Sequence, residues 1–351
     1  MLSPECTILP TSARSITPPL SPAKSWWFPH RVEQLAELRE LVLRHARGGV
    51  RRDLIEGVSV GVVARGTAPT ATMSEPSMAL LAGGRKRTAV GDLEFVYGPG
   101  QYLVASIDLP VTGYVSQASP DDPFVVFSLA LKPAVIAGLL LDTVEVVRPP
   151  RFTGLAISDA TTELLDSVIR LMRLFDNPAD LAALGAACER EIVWRLLAGA
   201  QGGIVRQIGL ADSGITHISR AIKWMREHID EPVAVADLAR LSGMSVSSFH
   251  RHFRAATSMT PIQWQKAHRL REARTLLLAG NRNIADVAYA VGYGSASQFS
   301  REYRRAFGRP PGHDATLLRG DSPKTPTSTK SSRHRSPGNI GHSASVEAET
   351  P

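Results

Sequence analysis

The chain has 351 residues, 43% of them hydrophobic, with 40 Lys/Arg against 33 Asp/Glu for a net charge of +7. That length supports two domains, each with its own core. The only cysteines, Cys6 and Cys188, exclude a disulfide framework and a cysteine metal cluster and fit a reducing compartment.

The charge is unevenly spread. Residues 1–213 hold 20 basic and 22 acidic side chains, net −2; residues 214–318 hold 15 and 8, net +7; residues 319–351 hold 5 and 3, net +2. A basic segment joined to a near-neutral one points to nucleic-acid binding by the first and a separate task for the second. Apolar runs such as 134–141 fall far short of the ~20 residues that a membrane helix needs. No apolar h-region of an export signal stands at the N-terminus. A cytoplasmic protein without a membrane partner is expected.

Residues 1–30 combine six prolines with Ser and Thr and have no periodicity, the composition of a disordered segment; Trp26, Trp27 and Phe28 are the exception, available to pack on the residues after them. From Arg31 to His45, Leu35, Leu38, Leu41 and Val42 recur at helical spacing. Residues 56–132 are short β-rich runs, VSVGVVARG, MALLAGG, LEFVYGPG, YLVASIDLPV and PFVVFSLAL, punctuated by Gly83-Gly84, Gly91-Asp92 and Gly98-Pro99-Gly100. They predict a small all-β barrel or sandwich. Such a barrel either encloses one small ligand or is filled by its own side chains. Residues 160–199 return to helical periodicity, with one stripe of Leu164, Val168, Leu171 and Phe175, and a second of Leu181, Leu184, Cys188, Ile192 and Leu196 after the Asn177-Pro178 turn. This hairpin covers the barrel or forms a dimer interface. Residues 201–214 read as a linker.

Beyond Ile215 the sequence repeats. Ala236, Asp237, Leu238, Ala239 and Gly243 align with Ala285, Asp286, Val287, Ala288 and Gly292; past the turn, Ser245, Phe249, Arg251, Phe253, Arg254 and Ala256 align with Ser295, Phe299, Arg301, Tyr303, Arg304 and Ala306. Each copy reads as two short helices around a glycine turn, a helix-turn-helix. In the second copy, Asn283 caps a helix with Ile284, Val287, Ala288 and Val291 on one face, and Ser295 caps the next. With Phe299 at zero, Tyr303 and Ala306 fall at about 40° and −20°, and Ser297, Arg301 and Arg304 at about 160°, 200° and 140°. The outward face is short, polar and cationic, suited to a major groove. Between the copies, Thr260 caps and Pro261 opens a helix closed by Gly280, about 28 Å long at 1.5 Å per residue. That length separates two recognition helices by something near one DNA turn, ~34 Å. Residues 319–351, rich in Ser, Thr and Pro, read as a disordered tail.

Residues 215–312 resemble the AraC/XylS family of bacterial transcription regulators through Asp237-Leu238-Ala239, Gly243-Met244-Ser245, Phe249, Thr260-Pro261, Arg269-Leu270, Asp286-Val287-Ala288, Gly292-Tyr293, Phe299-Ser300-Arg301, Phe307-Gly308 and Pro311. Ser258 departs from that pattern where the family has Gly, and Asp314-Ala315 where it often has an aromatic-Arg pair. The N-terminal region is similar to the AraC-type regulatory domain through Glu75-Pro76, Lys86, Tyr97, Tyr102-Leu103, Asp108-Leu109-Pro110-Val111 and Pro123. The resemblance implies an α+β multidomain chain: a disordered segment at 1–30, a cupin-like β-barrel with a helical hairpin at 31–200, a linker at 201–214 and an all-α double helix-turn-helix domain at 215–318.

Motif and exposed face together give base-edge candidates Ser247, His250 and Arg251 in the first recognition helix, and Ala296, Ser297, Ser300 and Arg301 in the second. Arg254 and Arg304 are phosphate candidates. For His250 and His252 the alternative is a surface histidine with no specific contact. The expected partners are double-stranded promoter or operator DNA, a small-molecule effector in the barrel, RNA polymerase and a second copy of the chain. A constitutive or partner-controlled regulator whose barrel only dimerises is the alternative. No enzyme, cofactor or metal site is expected: residues 46–216 lack histidine altogether, which removes the usual ligands of a cupin metal centre.

Overall fold

The computed structural model describes residues 14–16, 28–46, 49–141, 153–210, 213–280 and 283–319. Most of the expected disordered segments, together with Trp26 and Trp27, lie outside them. Residues Arg14–Ile16 do not fit that expectation: they form strand β1, paired in parallel with β7 (Leu93–Tyr97).

Helix α1 spans Phe28–Ala46 and buries Leu38, Leu41 and Val42, as its spacing predicts. The strands after it are β2 (Val50–Ile55), β3 (Val58–Val63), β4 (Thr70–Ser74), β5 (Ser77–Gly83), β6 (Arg85–Val90), then β7, β8 (Gln101–Ala105), β9 (Leu109–Gln117), β10 (Phe124–Ala130) and, after helix α2 (Pro133–Leu141), β11 (Leu155–Asp159). They build two sheets, of order β1-β7-β6-β9-β4 and β11-β8-β5-β10-β3-β2. Of the two forms the strand pattern allows, barrel or sandwich, the strands form a two-sheet sandwich. Alternation along the strands sends neighbouring side chains to opposite faces. Phe127, paired with Val60 and Leu80, joins the core beneath α1, whereas Leu81 and Leu103 join Val90, Phe95, Tyr97, Val111 and Val115 in a second core. Tyr97 is fully buried, and that burial pushes its hydroxyl up to about 12.

The helical hairpin is α3 (Thr162–Leu174) and α4 (Pro178–Ala198). Thr161 Oγ1 accepts from the Leu164 amide at 3.2 Å, and Asn177 Oδ1 from the Ala179 amide at 3.1 Å, so both starts are capped. Leu164, Val168, Leu171, Ile192 and Leu196 pack into the core beneath α1. Leu184 does not follow its stripe: it is 50% exposed, in a first stretch of α4 where residues 178–184 are exposed apart from the half-buried Leu181. The expected linker is also revised. Residues Gly202–Gly209 form helix α5, which buries Ile204, Val205 and Ile208 in that same core.

The C-terminal domain consists of α6 (Gly214–Glu227), α7 (Val235–Leu241), α8 (Val246–Thr257), α9 (Pro261–Ala279), α10 (Ile284–Ala290), α11 (Ala296–Phe307) and α12 (Pro311–Arg319). The sandwich packs directly on its first half. One apolar core takes in Leu109, Val111 and Leu155 from the strands together with Ile215, Ile222, Met225, Phe249, Phe253, Ala256 and Trp264 from the helices. The approach is close enough that a side chain at Gly154 would collide with the Ala256 carbonyl at the end of α8. Arg226 is ion-paired to Asp108 across this seam, and Arg271 Nη2 donates to the Val111 carbonyl at 3.3 Å.

His268, on α9, is buried and its Nδ1 has no hydrogen-bond partner; burial first, then the charges of Arg226 and Arg271, lower it from 6.5 to about 4. A group with a depressed folded-state value contributes stability above its unfolded value and loses it as pH falls through the folded one. We therefore expect stability to decline between about pH 6.5 and 4, and His268→Gln to remove that part of the decline in urea titrations across this range. For α5, Ile204→Ala should lower stability by about 2–5 kcal/mol. A change within about 0.5 kcal/mol, as at an exposed linker position, would contradict its place in the core.

Candidate nucleic-acid interface

Both helix-turn-helix units form where the repeat places them. In the first, α7 and α8 meet at Gly243, and Ser245 Oγ accepts from the Ser248 amide at 3.3 Å; in the second, α10 and α11 meet at Gly292, and Ser295 Oγ accepts from the Gln298 amide at 3.4 Å. Helix α9 runs between them for 19 residues under a Thr260–Gln263 capping box. Gly292 has φ +80°, and a Cβ there would stand 2.5 Å from the Asp230 carbonyl, so the turn requires glycine twice over.

The inward faces are as the spacing predicts for the aromatics. Phe249, Phe253, Phe299 and Tyr303 are fully buried. Two smaller positions differ: Ile284 and Ala306, expected inside, are exposed, Ala306 beside the half-buried Phe307 in a cleft against α9 and the sandwich. The second unit's core closes instead on Tyr293, edge-on to Phe299 at 5.4 Å between centroids, and on Ala315.

Outward, Ser247, His250, Arg251 and Arg254 are all exposed on α8, and Ser297, Arg301 and Arg304 on α11; Ala296 and Ser300 are half-buried. Arg251, Arg254, Arg301 and Arg304 form no ion pair among the described residues. Four guanidinium groups thus stand in solvent with full donor capacity, next to hydroxyls of the same helix starts. His252 is directed elsewhere, its Nδ1 2.9 Å from the Ser248 carbonyl. No group of three or more His, Cys, Asp or Glu side chains able to hold a metal ion is present among the described residues.

Three positions that hold the two units are not apparent from the periodicity. Arg269, on α9, donates to the carbonyls of Ile229 (2.7 Å), Glu231 (2.7 Å) and Gly292 (2.9 Å), tying the loop after α6 to the second unit's turn. Asp314 is buried and accepts from Arg274 Nε at 2.9 Å and from the Tyr303 hydroxyl at 2.8 Å. Burial, then the Asp314 hydrogen bond and charge, raise the Tyr303 hydroxyl far above its ordinary value. The departure at Asp314 is therefore a bracket that seats α12 on α11. Ser258, the other departure, adopts the left-handed conformation at φ 58° and still ends α8, its amide donating to the Arg254 carbonyl.

A two-sheet regulatory domain packed on a pair of helix-turn-helix units is the architecture of a one-chain DNA-binding regulator. The profile described as "AraC-type transcriptional regulator N-terminus" matches residues 54–204, and the profile described as "Helix-turn-helix domain" matches residues 238–315. The chain belongs to the AraC/XylS family. It is 27% identical over 161 residues to the HTH-type transcriptional activator RhaS of Citrobacter koseri (44% of this chain, 56% of that protein), and 26% identical over 162 residues to RhaS of Salmonella schwarzengrund (44% and 57%). The chain thus spans just over half the length of these relatives. In fold it is similar to ToxT from Vibrio cholerae in an unsaturated-fatty-acid-bound crystal structure, at TM-score 0.51 and 12% identity, covering 78% of this chain and 100% of that one.

Phe299→Ala should cost about 3–5 kcal/mol by opening the second unit's core. Asp314→Ala should cost a similar amount, about 3–5 kcal/mol, by leaving the Arg274 charge without its partner. Both are measured as loss of cooperative thermal or urea unfolding in the full chain; wild-type stability in either variant would contradict the packing described.

Proposed function

We propose that the protein is a sequence-specific DNA-binding transcription regulator controlled by a small-molecule effector. The observation that carries this reading is the matched pair of serine-capped helices, each presenting exposed, unpaired arginines at equivalent positions. In this reading Arg251 and Arg301 bond guanine edges, Ser247, His250, Ser297 and Ser300 serve bases or nearby phosphates, and Ala296 offers a methyl contact. Arg254 and Arg304, a turn further along, neutralise phosphates. Support comes from the names of the relatives, which are transcriptional activators, and from the regulatory-domain profile over residues 54–204. Effector control has the further precedent of the fatty acid held by ToxT. RNA polymerase is the partner through which an activator of this kind works, and a second copy of the chain joins through the hairpin, where α4 leaves Leu184 exposed. No helix among the described residues is long and apolar enough to cross a membrane, in keeping with a cytoplasmic site of action.

The direct test is selection of bound DNA from a random pool by the purified full chain across a salt series. Enrichment of a defined site is expected, with the spacing of its halves reporting one or two bound protomers. A steep salt dependence with no preferred sequence would reduce the domain to a nonspecific binder. On the selected site, Arg301→Ala should weaken binding by about 1–3 kcal/mol and relax preference at one base position. Arg304→Ala should weaken binding on all sequences alike and lower the salt slope by about one.

A further inference from the structure

Helix α9 carries its two cores on opposite faces. Taking Trp264 as zero at about 100° per residue, Ala273, Leu277 and Leu270 fall at about 180°, 220° and 240°. Trp264 belongs to the core shared with the sandwich, the other three to the core of the second unit, and among the described residues none of α9 enters both. Each unit therefore packs on its own side of a common shaft. Apolar burial is non-directional, so it seats each unit on α9 without fixing its roll about that helix.

What meets between the two faces is polar and made largely of backbone. The loop after α6 is anchored to the first core by Val233, and the turn at Gly292 to the second by Val291 and Tyr293. Loop and turn touch where Gly292 abuts Asp230. Gln265 and Arg269 stand at about 100° and 140° on α9, on the side where these segments meet. Gln265 Nε2 donates to the Glu231 carbonyl at 2.8 Å and so holds the loop alone. Arg269 holds both: its Nε and Nη2 donate to Ile229 and Glu231 of the loop, and its Nη1 to Gly292 of the turn.

We propose that Arg269 fixes the relation of α8 to α11 and thereby sets the spacing of the two DNA subsites that one protomer reads. It is a positioning residue: it touches no base, yet it makes the protein reject a site whose parts stand one base pair too far apart. An added base pair carries the second subsite about 3.4 Å along the duplex and turns it by about 34°. To follow, α11 has to roll on α9 and take the Gly292 carbonyl with it, and bonds of 2.7–2.9 Å do not survive a displacement of that size. A planar fork shared among three acceptors resists the roll, whereas an ammonium on a flexible stem swings with the acceptor it keeps. The inference rests on the DNA-reading function proposed above, but the joint is also measured without DNA, so each is able to fail alone.

The first measurement compares binding of the full chain to its selected site and to the same site with one base pair inserted between the two parts. The wild-type chain should prefer the original spacing by about tenfold or more, the worth of one hydrogen bond to a charged group. Arg269→Lys, which keeps the charge, should narrow that preference to about threefold or less, with base preferences inside each part unchanged. Arg274→Lys is the structural comparison. Arg274 holds Asp314 inside the second unit, so its variant should lower the melting temperature and leave the spacing preference as it was. The second measurement uses spin labels at Ser247→Cys and Ser297→Cys in a chain carrying Cys6→Ser and Cys188→Ala, without DNA. One narrow distance distribution is expected, broadened by Arg269→Lys and not by Arg274→Lys. Equal wild-type affinity for both spacings, a full preference kept by Arg269→Lys, an equal loss in Arg274→Lys, or distances insensitive to Arg269→Lys would overturn the proposal. Distances that broaden as expected in a chain that selects no DNA sequence would sink the regulator reading and leave the Arg269 joint standing.

Discussion

The two reading units are held to each other by one guanidinium. Arg269 reaches from the connecting helix to three carbonyls, two in the loop after α6 and one in the turn of the second unit. Three donors in a planar fork, committed to backbone rather than to a mobile side chain, fix orientation as well as distance. A lysine in that place has the charge without the fork. The second unit carries its own small core of Phe299, Tyr303, Val287 and Val291, and the first shares its core with the sandwich. Besides this clamp, α9 and the close approach of Gly292 to Asp230 connect two separately packed bodies.

That division of cores has a mechanical consequence. The first unit moves with the regulatory sandwich, since Ala256 and Trp264 are packed in the same apolar cluster as Leu109 and Val111. The second is joined through α9 and the Arg269 clamp. Anything that alters the seam between sandwich and first unit therefore alters the relation between the regulatory domain and both reading helices. The seam is not an optimised interior: Trp264 Nε1, His268 Nδ1 and Arg271 Nε are buried there without partners. Each buried polar atom left unbonded costs of order 1–3 kcal/mol, recovered when water returns.

The reading faces show the opposite economy. Serine at each helix start satisfies a backbone amide, and the arginines beyond it are left free of carboxylates. On most protein surfaces cations and anions are interspersed. Here α8 carries no acidic residue, and the single one of α11, Glu302, is used inward, accepting from Tyr293 and pairing with Lys266. The positive face is thereby left without a neutralising carboxylate, as the proposed contacts to phosphate and base edges require.

Much of this was legible in the chain itself, and for a physical reason. Helical spacing of Phe249 and Phe253, and of Phe299 and Tyr303, with serine before α8 and α11, asparagine before α10 and glycine at each turn, specifies short capped helices by local rules alone. A repeat of the pattern then specifies two units, and the side opposite the aromatics specifies the face turned to solvent. What the sequence could not determine depends on contacts between residues far apart along it. Residues 202–209 are only eight long and include three glycines, the composition of a linker, yet they are helical because Ile204, Val205 and Ile208 complete a core built by α2 and the hairpin. Asp314 reads as a departure from the expected pattern until Arg274 and Tyr303, 40 and 11 residues away, are seen to share it. The same holds for the seam: Asp108 and Arg226 lie 118 residues apart, and only the docking of the sandwich on α6 pairs them. Local propensity fixes elements and faces, whereas the charge balance of a seam exists only once two surfaces have met.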